Sequence, residues 1–151
     1  MNATDAPILL YAEDDADDRL LAKMAHRESG AAGQLVFVGD GEEALEFLRR
    51  TGRHAGRLDQ SEPSVVLLDL NMPGIDGREA LWMIRADPRL HHIPVVILTT
   101  SAADGDIEGS SRAGADGYIV KPRDFAGLVH IFTTLAMYSS KFISHAKDVP
   151  Q

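Results

Sequence analysis

The chain of 151 residues is 44% hydrophobic and 25% charged, with a formal net charge of -8. This fits one ordinary globular domain and argues against general binding to nucleic acid or to an anionic membrane surface. Cysteine is absent, which excludes disulfides and thiol chemistry and leads us to expect a cytoplasmic setting; no apolar run is long enough to cross a bilayer, and Met1 to Ala6 has no signal-peptide character.

Pro7 to Ala12 reads as a buried first strand that ends at Glu13-Asp14-Asp15. A helix is expected from about Ala16 to Ser29, with Leu20, Leu21, Met24 and Ala25 on its inner face and Gly30 and Gly33 ending it. Gln34 to Val38 is a second short strand. Asp40 and Glu43 have capping-box spacing for a helix carrying Ala44, Leu45 and Leu48. Thr51 to Pro63 is a polar loop.

Val65 to Leu68 is an unbroken apolar run, too short for a helix and suited to a strand buried on both faces. Asp69 follows it, then Leu70, Asn71 and the turn-forming Met72-Pro73-Gly74. Asp76 and Glu79 form another capping pair, before a helix that faces Ala80, Leu81 and Ile84 inward and stops at Asp87-Pro88. Pro94 to Leu98 is a fourth strand, ending at Thr99-Thr100-Ser101. The helix from Asp104 to Ala113 is intrinsically weak, because Gly105 and Gly109 each cost roughly 1 kcal/mol against alanine. Gly117 to Val120 is the fifth strand, ending at Lys121-Pro122, and a last helix starts near Asp124. Five strands alternating with five helices make a doubly wound α/β domain with a parallel sheet.

In such a sheet the carboxyl ends of the strands share one edge, where ligands bind. Glu13, Asp14 and Asp15 close the first strand, Asp69 the third, Thr99 the fourth and Lys121 the fifth. Crowded carboxylates repel one another unless a cation joins them, and oxygen-only donors suit a hard divalent ion, Mg²⁺. A hydroxyl and an ammonium aimed at the same place suit an anion beside that metal, the layout of a phosphoryl-transfer site. Asp17 and Asp18 read as acids that favour the positive end of the first helix and do no more.

These residues resemble the receiver domain of two-component response regulators, over about Ile8 to Leu135. The motifs are Glu13-Asp14, Asp69 with Asn71-Met72-Pro73-Gly74, Thr99, Tyr118 and Lys121-Pro122. The resemblance implies a flavodoxin-like sheet of strand order 2-1-3-4-5 and a single receiver domain over 1–151, its core about 7–138 and 139–151 an extension. It also implies Asp69 as the phosphoacceptor. Mg²⁺ would be bound by Asp14 directly, by Glu13 through water, and by the backbone carbonyl of Asn71. Thr99 would hydrogen-bond the phosphoryl group, Lys121 would pair with it, and the Lys121–Pro122 peptide would be cis. Thr99 would move toward the added phosphoryl group and Tyr118 would turn into the vacated space. Thr100 stands where many relatives carry alanine, which places extra bulk beside that site. The extended loop from Thr51 to Pro63, the phrase LLDLNMPG, Ile93 to Val96 and the LTTS at Leu98 to Ser101 are closer to single-domain regulators that pair with bacterial phytochrome kinases. That closer resemblance implies a sensor histidine kinase, a phytochrome, as partner.

On the last helix, Phe125, Leu128, Phe132 and Leu135 are expected to cover the sheet. Val129, Ile131, Met137 and Tyr138 spread apolar character around the remaining surface, which points to a homodimer through this helix and the tail. Ile107 and Tyr118 are assigned to the same partner surface. Arg49, Arg50, Arg53 and Arg57 form a local basic patch, read first as a solvated loop, and Trp82 fits either core or surface. Two readings compete with phosphoryl acceptance. One is a receiver-shaped interaction module that takes no phosphate. The other is an Asp-nucleophile phosphatase, which needs a second aspartate where Asn71 stands.

Overall fold

In the computed structural model, residues 7–57 and 62–148 are described, with side chains as far as 137. The strands are β1 (Ile8–Ala12), β2 (Gln34–Val38), β3 (Val65–Leu68), β4 (Val95–Thr99) and β5 (Gly117–Val120). The helices between and after them are α1 (Ala16–Ser29), α2 (Gly41–Arg49), α3 (Gly77–Ala86), α4 (Asp104–Arg112) and α5 (Phe125–Asp148). All strand pairs are parallel and the order is β2-β1-β3-β4-β5, as the resemblance implied. β1 and β3 lie at the centre, so Glu13 and Asp69, just past their ends, stand side by side.

Alternation along the strands divides the core in two. Leu10, Ala12, Val66, Leu68, Val95 and Ile97 meet α2 and α3 through Leu45, Phe47, Leu81 and Ile84. Leu9, Tyr11, Val65, Leu67, Val96 and Leu98 meet α1 and α5 through Ala22, Ala25, Ile131, Phe132 and Leu135. Asp15, Asp40 and Asp76 cap α1, α2 and α3, each side chain accepting the N–H three residues on.

Three details of helix facing differ from expectation. Leu20, Leu21 and Met24 are exposed; α1 buries Ala25, as expected, together with Ala22. Two small residues three apart let α1 lie close against α5, where a leucine stripe would hold it off. On α5, Leu128, Ile131, Phe132 and Leu135 form an i, i+3, i+4, i+7 stripe, so Ile131 is buried in the core and does not belong to a partner surface. Phe125, one turn before that stripe, is exposed at the helix entrance and does not cover the sheet. Trp82 is exposed.

The weak helix is weak in structure too. The N-cap residue of α4, Ala103, supplies no side-chain bond, and Ser110 is its one buried residue. The Ser110 hydroxyl finds no partner, a cost of about 1–3 kcal/mol for a buried donor. Gly105 and Gly109 have open space where a Cβ would stand, whereas a Cβ on Gly77 would collide with the carbonyl of Asp69. Gly105→Ala and Gly109→Ala are therefore expected to raise unfolding free energy by about 0.5–1 kcal/mol each. Gly77→Ala is expected to lower it. Urea denaturation measures all three, and a destabilising Gly105→Ala would contradict the account of α4.

Candidate functional site

Glu13 extends the β1 ladder, its N–H donating to the Val38 carbonyl at 3.0 Å. Its side chain is only 2% exposed and turns into the space above β3. There Oε2 accepts from the Asp15 N–H at 3.1 Å, and Oε1 accepts from the Tyr11 hydroxyl at 3.4 Å and from Lys121 Nζ at 2.5 Å. Asp69, 5% exposed, is saturated from three directions. Its Oδ1 accepts from Thr99 Oγ1 and from the Asn71 N–H, each at 3.0 Å, and its Oδ2 accepts from Lys121 Nζ at 2.8 Å. Lys121 is placed by its own backbone, whose N–H donates to the Thr99 carbonyl at 2.7 Å. The ammonium thus sits between two buried carboxylates that come from different strands.

Burial raises the Glu13 carboxyl above its ordinary value, against the hydrogen bonds from Lys121 and Asp15 that lower it. Burial works the other way on Lys121, but Tyr11, Asp69 and Glu13 outweigh it and the net shift is upward. Burial also raises the Tyr11 phenol. The site is therefore acid-rich, with one firmly held cation. Among the described residues no three carboxylates or imidazoles converge closely enough to hold a metal ion as they stand, because the Lys121 ammonium bridges Glu13 and Asp69. The donor chemistry nevertheless fits a hard divalent ion. All candidates are oxygens, Asp14 and Asn71 are exposed at the mouth, and Glu13 is a buried acid short of positive charge.

Of the residues expected at the site, Glu13, Asp69, Thr99 and Lys121 are brought into direct contact, with Asp14 and Asn71 beside them. The Lys121–Pro122 bond is trans, as is every peptide among the described residues. Lys121 reaches both carboxylates in that geometry, and the two proline isomers differ by only about 0.5–1 kcal/mol. Thr99 donates to Asp69, while Tyr118 packs against the core and donates from its hydroxyl to the Ser101 carbonyl at 2.8 Å. That loop is tied onward: Ser101 Oγ donates to Asp106 on α4, and Asp106 pairs with Arg78 on α3. Ile107 and Met137 are exposed. Tyr118 is only half exposed, and the side chain of Tyr138 lies outside the described residues.

Sequence reasoning missed Tyr11, although strand alternation sets it on the same side as Glu13. It also dismissed Asp18, whose Oδ2 lies 3.4 Å from Lys121 Nζ. The basic patch is tied into the fold more closely than the solvated loop that was expected. Arg49 pairs with Asp87 at 3.1 Å, Arg53 with Glu46 at 2.6 Å, and Arg57 lies 3.8 Å over the Phe47 ring.

Comparison with known proteins identifies the family. A family model described as the response regulator receiver domain matches residues 9–133. A probable methanogenesis regulatory protein, FilR2 of Methanothrix harundinacea, is 38% identical over 85% of this chain and 80% of its own. Response regulator Rcp1 of Synechocystis is 36% identical over 80% of each chain. An Mn(2+)-bound form of Rcp1 superposes with a TM-score of 0.76 and 32% identity, covering 87% of this chain and 93% of that one. The phosphorylated cyanobacterial phytochrome response regulator RcpA gives 0.78 and 36%, covering 87% and 92%. The chain belongs to the response regulator receiver domain family.

Proposed function

We propose that Asp69 accepts a phosphoryl group from a sensor histidine kinase in a Mg²⁺-dependent reaction, and that the chain, one receiver domain over 1–151, signals through the resulting change of shape. The observation that carries this reading is the convergence of Thr99, Lys121 and the Asn71 N–H on one buried carboxylate. A carboxylate oxygen attacks phosphorus, the bond to the donor's leaving group breaks, and that group departs with the electron pair. Lys121 and the Thr99 hydroxyl balance the charge of roughly two that arrives. Glu13, Asp14, Asp69 and the Asn71 carbonyl would hold Mg²⁺, which when bound supplies further neutralisation of the phosphoryl oxygens. Nothing in the arrangement acts on a second substrate. Asn71 stands where a phosphatase needs a proton donor, so the catalysis is confined to Asp69 itself.

The signal leaves through β4 and α4. Thr99 and Tyr118 belong to adjacent strands, and the Tyr118 hydroxyl holds the loop that Asp106 ties to the poorly packed α4. A helix with one buried residue moves at low cost. For the kinase, α1 offers the exposed apolar side chains Leu20, Leu21 and Met24, of which Leu21 lines a small cavity with Lys121. Similarity to RcpA, a phytochrome response regulator, favours a phytochrome kinase. For a homodimer, Met137 is 69% exposed and α5 continues to Asp148, well past Leu135, the last core residue described. The charge of -8 speaks against nucleic acid as a partner, and among the described residues no helix is long and apolar enough to cross a membrane. A cytoplasmic location is in keeping with both.

Intact-mass measurement after incubation with acetyl phosphate and Mg²⁺ is expected to show one added phosphoryl group in the wild type and none in Asp69→Asn. An unmodified wild type, given an active donor, would favour the phosphate-independent module. A raised carboxyl contributes stability that is fully present below its unfolded pKa and lost as pH rises through the folded one. Without divalent metal, wild type is therefore expected to lose stability relative to Glu13→Gln as pH rises above the ordinary glutamate range of about 4.3, in urea titrations. Mg²⁺ at ten times its dissociation constant is expected to return about 1.4 kcal/mol to wild type at neutral pH. In sedimentation equilibrium at micromolar concentration we expect a dimer, weakened by Met137→Asp; a wild-type monomer with and without phosphate would refute it.

A further inference from the structure

Asp18 sits in the first turn of α1, where its N–H donates to the capping Asp15 carboxylate at 2.9 Å. A role at the positive helix end accounts for that bond and for nothing more. The side chain points elsewhere. Its Oδ2 lies 3.4 Å from Lys121 Nζ, on the wall of a cavity of about 70 Å³ shared with Leu21, Lys121, Pro122 and Leu128. Lys121 therefore has three carboxylate partners, and Asp18 differs from the other two. Glu13 and Asp69 follow strands and are buried, with contacts of 2.5 and 2.8 Å, whereas Asp18 rides on a helix and its side chain is 46% exposed. Solvent weakens that third attraction, which makes it the first to be surrendered. Asp17 has the same charge one position earlier, is exposed, and is not among the Lys121 partners.

We propose that Asp18 is a positioning residue for the chemistry at Asp69. It draws the Lys121 ammonium toward α1, so that the cation is shared between helix and acceptor and passes to the phosphoryl group when one adds. The proposal rests on the reading of Asp69 as phosphoacceptor. Asp18 touches no reacting atom and acts only through Lys121, for which it competes with the incoming charge. Removing it leaves the ammonium to Glu13 and the phosphorylated Asp69.

The test compares Asp18→Asn, Asp17→Asn and Asp18→Glu with wild type in two measurements. The first is the labelling rate of Lys121 by an amine-reactive succinimidyl ester without metal or phosphate, read by peptide mass spectrometry. The second is the acetyl phosphate concentration that gives half-maximal phosphorylation in Mg²⁺. Asp18→Asn is expected to raise labelling and to lower the half-maximal concentration, each by about two- to fivefold, the range of a half-exposed ion pair. Asp17→Asn, with the same loss of charge, is expected to change neither, and Asp18→Glu to behave as wild type. Equal labelling in the two asparagine variants would overturn the contact. Altered labelling with an unmoved half-maximal concentration would overturn the sharing with the phosphoryl group. A wild type that takes no phosphate overturns the reading of Asp69 and the proposal's chemistry with it. That failure is separable, because labelling needs no phosphate and still reports whether Asp18 holds Lys121.

Discussion

The Lys121 ammonium, held between the Glu13 and Asp69 carboxylates, is the interaction on which this structure depends. Each acid is almost fully buried, and an isolated buried carboxylate costs several kcal/mol. Three strands must end at one edge, in the right order, for a single cation to serve both. The parallel order β2-β1-β3-β4-β5 does this by placing β1 beside β3 and β5 beside β4, so that the Lys121 side chain reaches past the end of β4 to both acids. The compensation is incomplete, since burial still holds Glu13 above the ordinary carboxylate range. A site that is folded yet short of positive charge is primed for a divalent ion.

The same cation connects the chemistry to the rest of the molecule. Its backbone is tied to Thr99 and its side chain reaches α1 through Asp18. Thr99 in turn donates to Asp69, and Tyr118, on the strand beside it, anchors the loop that leads to α4. A change of charge at Asp69 is thus felt by two helices that differ sharply in build. α1 is locked against α5 by Ala22, Ala25 and Phe132, whereas α4 buries only a serine without a partner. Exposed apolar side chains thus lie on the well-packed α1, and the loosely packed helix is α4.

Much of this was legible in the order of residues. Short apolar runs such as Val65 to Leu68 announce buried parallel strands, because nothing polar interrupts either face. The placing of Glu13, Asp69, Thr99 and Lys121 at successive strand ends announces the site, because parallel strands share one edge. What was not legible depends on how elements sit against one another. Leu20, Leu21 and Met24 have helical spacing, yet Ala22 and Ala25 win the inner face because close approach to α5 favours small side chains. Ile131 falls in the core for a similar reason, since a helix with apolar residues on most sides does not state which stripe faces inward. The contact of Asp18 requires knowing that the Lys121 side chain reaches back from the end of β5 to the first turn of α1, across 103 positions of sequence.

The central claim is that Lys121 is the cation that holds the acids until metal and phosphoryl group arrive. Nuclear magnetic resonance of ¹⁵N-lysine-labelled protein, titrated with Mg²⁺, tests it most directly. The account predicts that the Lys121 side-chain signal shifts as Mg²⁺ draws on Glu13 and Asp69, and that Asp14→Asn shifts it only at much higher Mg²⁺. A Lys121 signal that stays put while Mg²⁺ binds would contradict it.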